Sequence, residues 1–587
     1  MPLGGMRAAW LTARRAGLRR VVRRLERRLR LRLLDPCLAG RMYPRSAPAR
    51  SCFEPAPGAQ RQLLGQLAAL RAGSPLGRAW DRQRALLTLL NQQALPLAVP
   101  VSWMRSPIAD PLWGFSLHSW EWAWPVLSDG RGAQEFLTLW RDWLDHVPVG
   151  RGVAWEPYPT SRRLAVWAAA WHVLGGDMLL LGAIAQHADY MLHHLERDLD
   201  NNHLVANARG LAWAGLLFST LPRAERWRHV GLGVLWAALA AQVRSDGGHV
   251  ENSASYHVAV WLDGLETALL AQASGHDVPQ PVWECLARMA SFAAALCRPD
   301  GRLPLLNDSS EDDPLPASAV LDLMSASVGR QFLPGGRVSG ALREAASCDA
   351  FAESGYVVLR AGAGREATYL VFDAGDLGPA HCPGHGHADA LSIELWGRGQ
   401  GLIVDPGTYQ YPAGHWRDYF RGTAAHSTAT VDGQEQSSFA GAFRVADMAR
   451  GRLVAASSGG GQAEATGEHD GYLRLADPVI HRRRVCLCGP DQVVVEDTFG
   501  GAAEHHVVLR FHLAPCEVRL AGASGGLATY PGGVMMELQV TSTKPGRLTV
   551  EDGWSSNTWY VKQRSPVVTY SLSGRLPITV FTRMRIA

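Results

Sequence analysis

The hydrophobic period of this 587-residue chain changes once, near residue 350, and that change limits the fold more than any other feature. From about residue 60 to 330, apolar residues recur three and four apart, as in 61–71, 164–174, 211–221 and 230–243, with Gly, Pro and Asp between the runs. Helical hairpins at this spacing suit an α/α toroid or bundle. From about 355 the period falls to two. Tyr356-Val-Val-Leu-Arg360, Ala367-Thr-Tyr-Leu-Val-Phe372, Gln492-Val-Val-Val-Glu496 and His506-Val-Val-Leu-Arg510 read as strands between Gly-rich turns. Many short strands of this kind predict an antiparallel sandwich. Gly335-Gly336 and Gly340 mark the linker. The chain is therefore expected to be α+β and multidomain: a basic arm over 1–35, a helical toroid over 36–340 and an antiparallel β-sandwich over 350–587. The cleft between the last two is the default ligand site.

In the arm, Arg14, Arg15, Arg19, Arg20, Arg23, Arg24, Arg27 and Arg28 recur in pairs at helical spacing, and Leu18, Val21, Val22, Leu25 and Leu29 fill the other face. Such a basic amphipathic helix suits peripheral contact with an anionic membrane surface or with an acidic glycan. The plainer readings are a solvated arm or a start codon placed too early. No uninterrupted apolar run of a signal peptide or membrane span is readable, so the sequence by itself predicts a cytoplasmic chain. The net charge of +4 is too small to argue for nucleic acid. Trp is a core residue first, but it also stacks on sugars, so 21 of them mildly favour a glycan binder. The nine scattered Cys do not read as a disulfide framework; Cys486 and Cys488, two apart in a strand, share a face and are expected to pack there. Oligomeric state is left open.

Four clusters gather polar residues that a purely structural chain would not need. Asn201-Asn202-His203 precedes an apolar helical run; one Asn suffices to cap it, which leaves the other and the His free to act. Asp246-Gly-Gly-His249-Val-Glu251 leads through a short polar stretch to Tyr256-His257, and a phenol, with its reference pKa near 10, needs stabilising neighbours to serve as a base. His381-Cys-Pro-Gly-His385-Gly386-His387-Ala-Asp389 packs three His and an Asp into nine residues; in an extended segment His385 and His387 share a face, and Gly386 would let the backbone approach a ligand. Asp405 and His426 lie at strand ends, and with His387 they form a nitrogen/oxygen metal set.

Together Asn202-His203, Tyr256-His257, His385-Gly-His387-Ala-Asp389, Val404-Asp-Pro-Gly-Thr408 and Ala425-His426 resemble the signature blocks of heparinase II/III-type polysaccharide lyases, which include heparin-sulfate and oligoalginate lyases. Pro111-Leu-Trp-Gly114 and Trp155-Glu-Pro-Tyr-Pro-Thr-Ser-Arg-Arg163 resemble the upstream blocks, so the resemblance covers roughly residues 100 to 450. It implies an incomplete (α/α) toroid joined to an antiparallel β-sandwich, and cleavage of a uronic-acid-containing polysaccharide by β-elimination to give unsaturated uronate ends. By matching positions, Asn202 and His385 would neutralise the substrate carboxylate, and His203 and Tyr256 would transfer protons. His387, Asp405 and His426 would hold one divalent metal, zinc or calcium, that props up the site. Tyr411 and Tyr419 are both candidates for a further catalytic tyrosine known in some relatives. Trp155, Glu156, Arg163, Glu251, His257 and Arg421 are expected to bind substrate, Trp155 by stacking on a sugar. One block departs from the pattern: His426 is followed by Ser427-Thr428 where relatives have Asn-Thr. Many relatives are exported, so the resemblance favours a periplasmic or secreted chain.

β-Elimination removes the C5 proton of a uronate, next to its carboxylate, and charge spreads onto the carboxylate oxygens in the transition state. An amide and an imidazole beside those oxygens meet that demand. A glycoside hydrolase would need two positioned carboxylates instead, for which Asp246, Glu251 and Glu156 are the candidates. A C5-epimerase would abstract the same proton, and a glycan-binding or assembly protein would need none of the chemistry. No dense basic cluster lies near the motifs, which favours an alginate-like chain or bacterial exopolysaccharide over a heavily sulfated one.

Overall fold

The computed structural model describes residues 11, 13–45, 58–175, 178–312, 315–328 and 346–587. The linker glycines Gly335, Gly336 and Gly340 lie outside them. The helical half is an incomplete α/α toroid built on the helices Pro157–Leu174, Met178–His193, Asn202–Leu217, Ala224–Gln242, Ala254–Ala273 and Gln280–Leu296. Asn202–Leu217 lies centrally, against Pro157–Leu174, Ala224–Gln242 and Ala254–Ala273. Two glycines permit that approach. A Cβ on Gly210 would sit 2.4 Å from the Ser161 carbonyl oxygen, and one on Gly231 would sit 2.4 Å from the Ala212 nitrogen. The run expected over 211–221 stops as helix at Leu217, because a helix continuing to Pro222 would drive the proline ring into the carbonyl four residues back.

The tryptophans go into the core. The largest fully buried side chains are twelve Trp between Trp103 and Trp261, with Trp140 and Trp143 edge-on to Trp167 at 6.1 and 5.3 Å. Their abundance reflects packing of the toroid, not sugar stacking.

The β half is antiparallel throughout its named strands. A five-stranded meander runs Ser347–Phe351, Tyr356–Ala361, Thr368–Asp373, Ile393–Gly397, Gln400–Ile403. An eight-stranded sheet and a four-stranded sheet complete the sandwich, the latter pairing Glu504–His512 with Val561–Arg575 and Ala429–Val431. All four strands read from the sequence are present. Cys486 and Cys488 do share a face, with sulfurs 3.2 Å apart.

Two toroid helices begin where the halves meet. Asn201 caps Asn202–Leu217, its side chain accepting from the His203 amide at 3.1 Å. Ser253 caps Ala254–Ala273, accepting from the Tyr256 amide at 3.3 Å. Asn202 and Tyr256 thus sit in first helical turns, where exposed N–H groups and the helix dipole favour an anion. The segment 305–312 is threaded between the halves. Its Leu305 amide donates to Glu394 at 2.6 Å, and the Ser253 hydroxyl donates to the Asp308 carbonyl at 2.6 Å.

Candidate active site

Asn202, Glu251, His385 and Asp308 follow one another as a chain of polar contacts across the joint between the halves. Glu251 is buried and accepts from the Asn202 amide at 3.0 Å, the Asn202 side chain at 2.8 Å and the Asn201 side chain at 3.3 Å. Burial alone would push its carboxyl up, but His385, His249 and the Asn202 bonds hold it below the ordinary carboxylate range. His385 Nε2 lies 3.7 Å from Glu251, and its Nδ1 lies 2.9 Å from Asp308 Oδ2. Burial also opposes ionisation of Asp308, yet Arg417, His385 and His387 hold that carboxyl well below its usual value. An ionised carboxylate only accepts, so the protons facing Asp308 sit on His385 Nδ1 and His387 Nε2.

Above His385 lies a pair of phenols. The Tyr256 ring is 4.2 Å from the His385 ring, centroid to centroid, and its hydroxyl is 2.8 Å from the Tyr411 hydroxyl. Of the two tyrosine candidates the structure thus brings Tyr411 to Tyr256. Tyr419 instead accepts from the Trp554 amide at 3.0 Å, a structural bond. Tyr256 also lines a groove of about 200 Å³ with Phe115, Tyr158, Arg162, Asn91 and Trp559, the last from the β half. His203 stacks on Tyr158 at 4.4 Å and meets Glu196 at 3.1 Å through Nδ1. Burial disfavours its charged form, but Glu196 outweighs that and raises its proton affinity.

Beneath His385 is a second cluster. His387, Asp389 and His426 are buried and place one ligand atom each within 4.8 Å of one another. His387 Nε2 is 2.9 Å from Asp308, and His426 Nδ1 is 2.7 Å from Asp405. The other nitrogens, His387 Nδ1 and His426 Nε2, are buried without a hydrogen-bond partner. Burial pushes His387 down to about 3, so its ring is neutral and Nδ1 offers a lone pair. Two orphaned imidazole nitrogens beside a carboxylate, each ring braced by a second carboxylate, fit a divalent cation. The carboxylate among these ligand atoms is Asp389; the expected Asp405 stands behind His426.

Residues 95–323 match the family described as heparinase II/III N-terminus, and residues 344–579 match heparinase II/III-like, C-terminal. The chain belongs to the heparinase II/III family. Family membership makes it a polysaccharide lyase. Over 517 residues it is 23% identical to a heparin-sulfate lyase of Bacteroides stercoris, covering 80% of this chain and 75% of that one. It is 25% identical over 377 residues to a heparin-sulfate lyase of Pedobacter heparinus, covering 57% and 54%. A crystal structure of heparinase III superposes with a TM-score of 0.72 at 20% identity, over 92% of this chain and 87% of that one.

Within this heparinase II/III fold, four residues expected to bind substrate are scaffold. Trp155 is 1% exposed and packs on His187 at 4.5 Å, so it offers no face to a sugar. Arg163 is fully buried, donating to the carbonyls of His118 and Ala154. His257 is buried on the Met289 carbonyl at 3.0 Å. Arg421 is fully buried and ties the Gly386 and Ala442 carbonyls together. In each case a helix or loop interior supplies partners that sequence spacing does not reveal. Glu156 is half-buried, and burial together with nearby Glu196 raises its carboxyl. Gly386 also has a different role from the one expected: a Cβ there would sit 2.0 Å from the Leu377 carbonyl oxygen, so backbone, not ligand, demands the glycine.

Sequence reasoning missed Asp308 and Arg417. Arg417 is fully buried and grips both Asp308 oxygens, and its guanidinium lies 5.0 Å from the Tyr411 ring. The available signal was the polar run Asn307-Asp308-Ser309-Ser310 directly after Leu305-Leu306, outside any capping position.

Proposed function

We propose that this polysaccharide lyase cleaves a uronate-containing chain by β-elimination, with the substrate carboxylate at Asn202 and His385 and the proton moved by the Tyr256–Tyr411 pair. The observation that carries this reading is the 2.8 Å hydroxyl pair directly over His385. One phenol donating to the other stabilises the acceptor as a phenolate, the form that can take the C5 proton. Asn202 holds Glu251 with part of its amide and can turn its remaining N–H to the substrate; the helix N-terminus behind it favours the same charge. His203, with proton affinity raised by Glu196, is suited to donate to the leaving oxygen.

The hydrolase reading loses two of its three candidate carboxylates, and the pair it needs with them. Glu251 is taken by Asn201 and Asn202, and Asp246 accepts from the Ser354 amide and hydroxyl at 2.7 and 2.8 Å. The relatives carry the name heparin-sulfate lyase. Here Arg162 in the groove is held by Glu121 and Asp263 at 2.6 Å each, so sulfate recognition has little support and a sparsely sulfated uronate polymer fits better. Incubation with alginate, hyaluronan, heparan sulfate and uronate exopolysaccharides tests this directly. Ultraviolet absorbance from a conjugated double bond is expected on the unsulfated chains. New reducing ends without absorbance would mean hydrolysis, and C5 inversion alone would mean an epimerase. Asn202→Ala is expected to lower kcat roughly 100- to 1000-fold, the usual cost of one lost transition-state donor.

The cation reading assigns His387, Asp389 and His426 as ligands, with Asp405 and Asp308 orienting the two rings. A nitrogen-rich set suits zinc better than calcium, and the bound ion would supply rigidity under His385. His387→Ala is expected to lower bound metal, measured by elemental analysis of purified protein, and the thermal midpoint together. Wild-type protein purified without metal and indifferent to a chelator would remove the assignment.

A further inference from the structure

The amphipathic N-terminal helix lies on the toroid the wrong way round for a soluble protein. A surface helix ordinarily turns its apolar stripe to the core. Here Leu18–Leu29 has no buried residue, and the arginines face the protein. Arg20 pairs with Asp200 at 2.5 Å, Arg24 with Asp198 at 3.5 Å, and Arg27 with Asp198 at 2.9 Å and Glu196 at 3.3 Å. These three positions fall on one side of a helical wheel and fix the helix flat against the loop 196–200.

The opposite side is open. Leu18, Val22, Leu25, Leu29 and Leu33 follow one another by three or four residues and are 79, 44, 60, 53 and 60% exposed. Leu34, Leu38 and Met42 carry the stripe onward at 40–50% exposure. This one segment holds eight of the twenty exposed large apolar side chains among the described residues. An unbroken stripe of eight large apolar side chains is more than a monomer ordinarily leaves to water without use.

The charges beside the stripe select the partner. Arg19 and Arg23 lie exposed along one edge, Arg28 and Arg32 along the other, with Glu26 the only acid in the helix. A cavity of about 580 Å³ opens between this helix and the toroid; five arginines line it (Arg23, Arg27, Arg30, Arg197 and Arg226) against two acids, Glu26 and the Arg27-paired Asp198, with apolar side chains such as Leu29 between them. An apolar strip between two arginine rows, beside an arginine-lined cavity, matches the acyl boundary and phosphates of an anionic bilayer. A second protein copy would have to bring acids to both rows. No helix among the described residues is long and apolar enough to cross a membrane.

We propose that Leu18–Met42 is an interfacial anchor that lays this lyase on an anionic lipid surface, the leucine stripe inserted, the flanking arginines on phosphates and the Arg-lined cavity holding a headgroup. The ion pairs of Arg20, Arg24 and Arg27 keep the helix parallel to the surface and fix the distance of the groove from it.

Flotation of the full-length chain with vesicles tests this. Strong binding is expected to equal parts phosphatidylcholine and phosphatidylglycerol, and weak binding to phosphatidylcholine alone, with the difference reduced at high salt. The double variant Leu25→Asp/Leu29→Asp is expected to bind anionic vesicles roughly tenfold less or worse, since each buried methylene carries about 0.8 kcal/mol. Its turnover on soluble polymer should be unchanged, because neither leucine touches the groove. Absence of wild-type binding to anionic vesicles would overturn the proposal. So would a wild-type dimer by light scattering that the double variant converts to monomer, because the stripe would then be covered by a second copy.

Discussion

Tyr256→Phe is expected to cut kcat on a uronate polymer by about 100- to 10,000-fold, the range for losing a positioned general acid–base group, with little change in KM or thermal midpoint. The substitution deletes one oxygen. That oxygen makes the 2.8 Å bond to Tyr411, whereas the ring contact with His385 at 4.2 Å survives in phenylalanine. The Ser253 cap on the Tyr256 backbone amide survives too, so the helix should start unchanged. The loss therefore falls on the chemical step. Tyr411→Phe separates the roles. If Tyr411 only supports a Tyr256 phenolate, its removal costs less, and the double variant should be no worse than Tyr256→Phe, because groups acting as a unit are not additive. Ordinary turnover in Tyr256→Phe, on a polymer the wild type cleaves, would transfer the proton step to His203 or elsewhere.

What the sequence disclosed depended on range. The change of hydrophobic period is a local property, so toroid and sandwich were readable, and so was the division of labour at Asn201-Asn202, where one amide caps and the next is turned to Glu251. The His385-Gly386-His387 alternation was also local: both rings reach the same Asp308 carboxylate. What the sequence concealed is whatever needs three-dimensional convergence. Trp155 and Arg163 sit in a polar-looking block, yet a stack on His187 and two backbone carbonyls absorb them. Asp405 lies in a motif suited to metal, and its oxygen meets His426 Nδ1, but the carboxylate that falls within reach of both histidines is Asp389, two residues beyond His387. The arm was legible as amphipathic, but not which face would be turned outwards. That depended on acids at 196, 198 and 200, more than 150 residues away.

Asp308→Asn is expected to destabilise the protein by about 3–5 kcal/mol, the usual cost of breaking a buried ion pair from one side, and to abolish most turnover as well. Asparagine keeps the shape but not the charge. Arg417, with no exposed side-chain surface, would be left without its carboxylate. Either orientation of the new amide also sets an NH₂ against a donor, because one Asp308 oxygen faces Arg417 and His387 and the other faces Arg417 and His385. His385 then either loses the acceptor that fixes its Nδ1 proton or keeps only a neutral amide oxygen in place of a carboxylate, so the carboxylate-binding end of the site loosens together with the fold. The pH dependence gives an independent check. A carboxyl held well below its unfolded value contributes stability at pH above that unfolded value, near 3.9 for Asp, and the contribution is lost as pH falls towards the folded value. Wild-type stability should therefore decline on acidification from about pH 5 downward, and Asp308→Asn should show a shallower decline over the same interval. Calorimetry across that range measures both. A variant as stable as wild type, with an identical acid limb, would mean that Asp308 is not the brace joining the histidine block to Arg417.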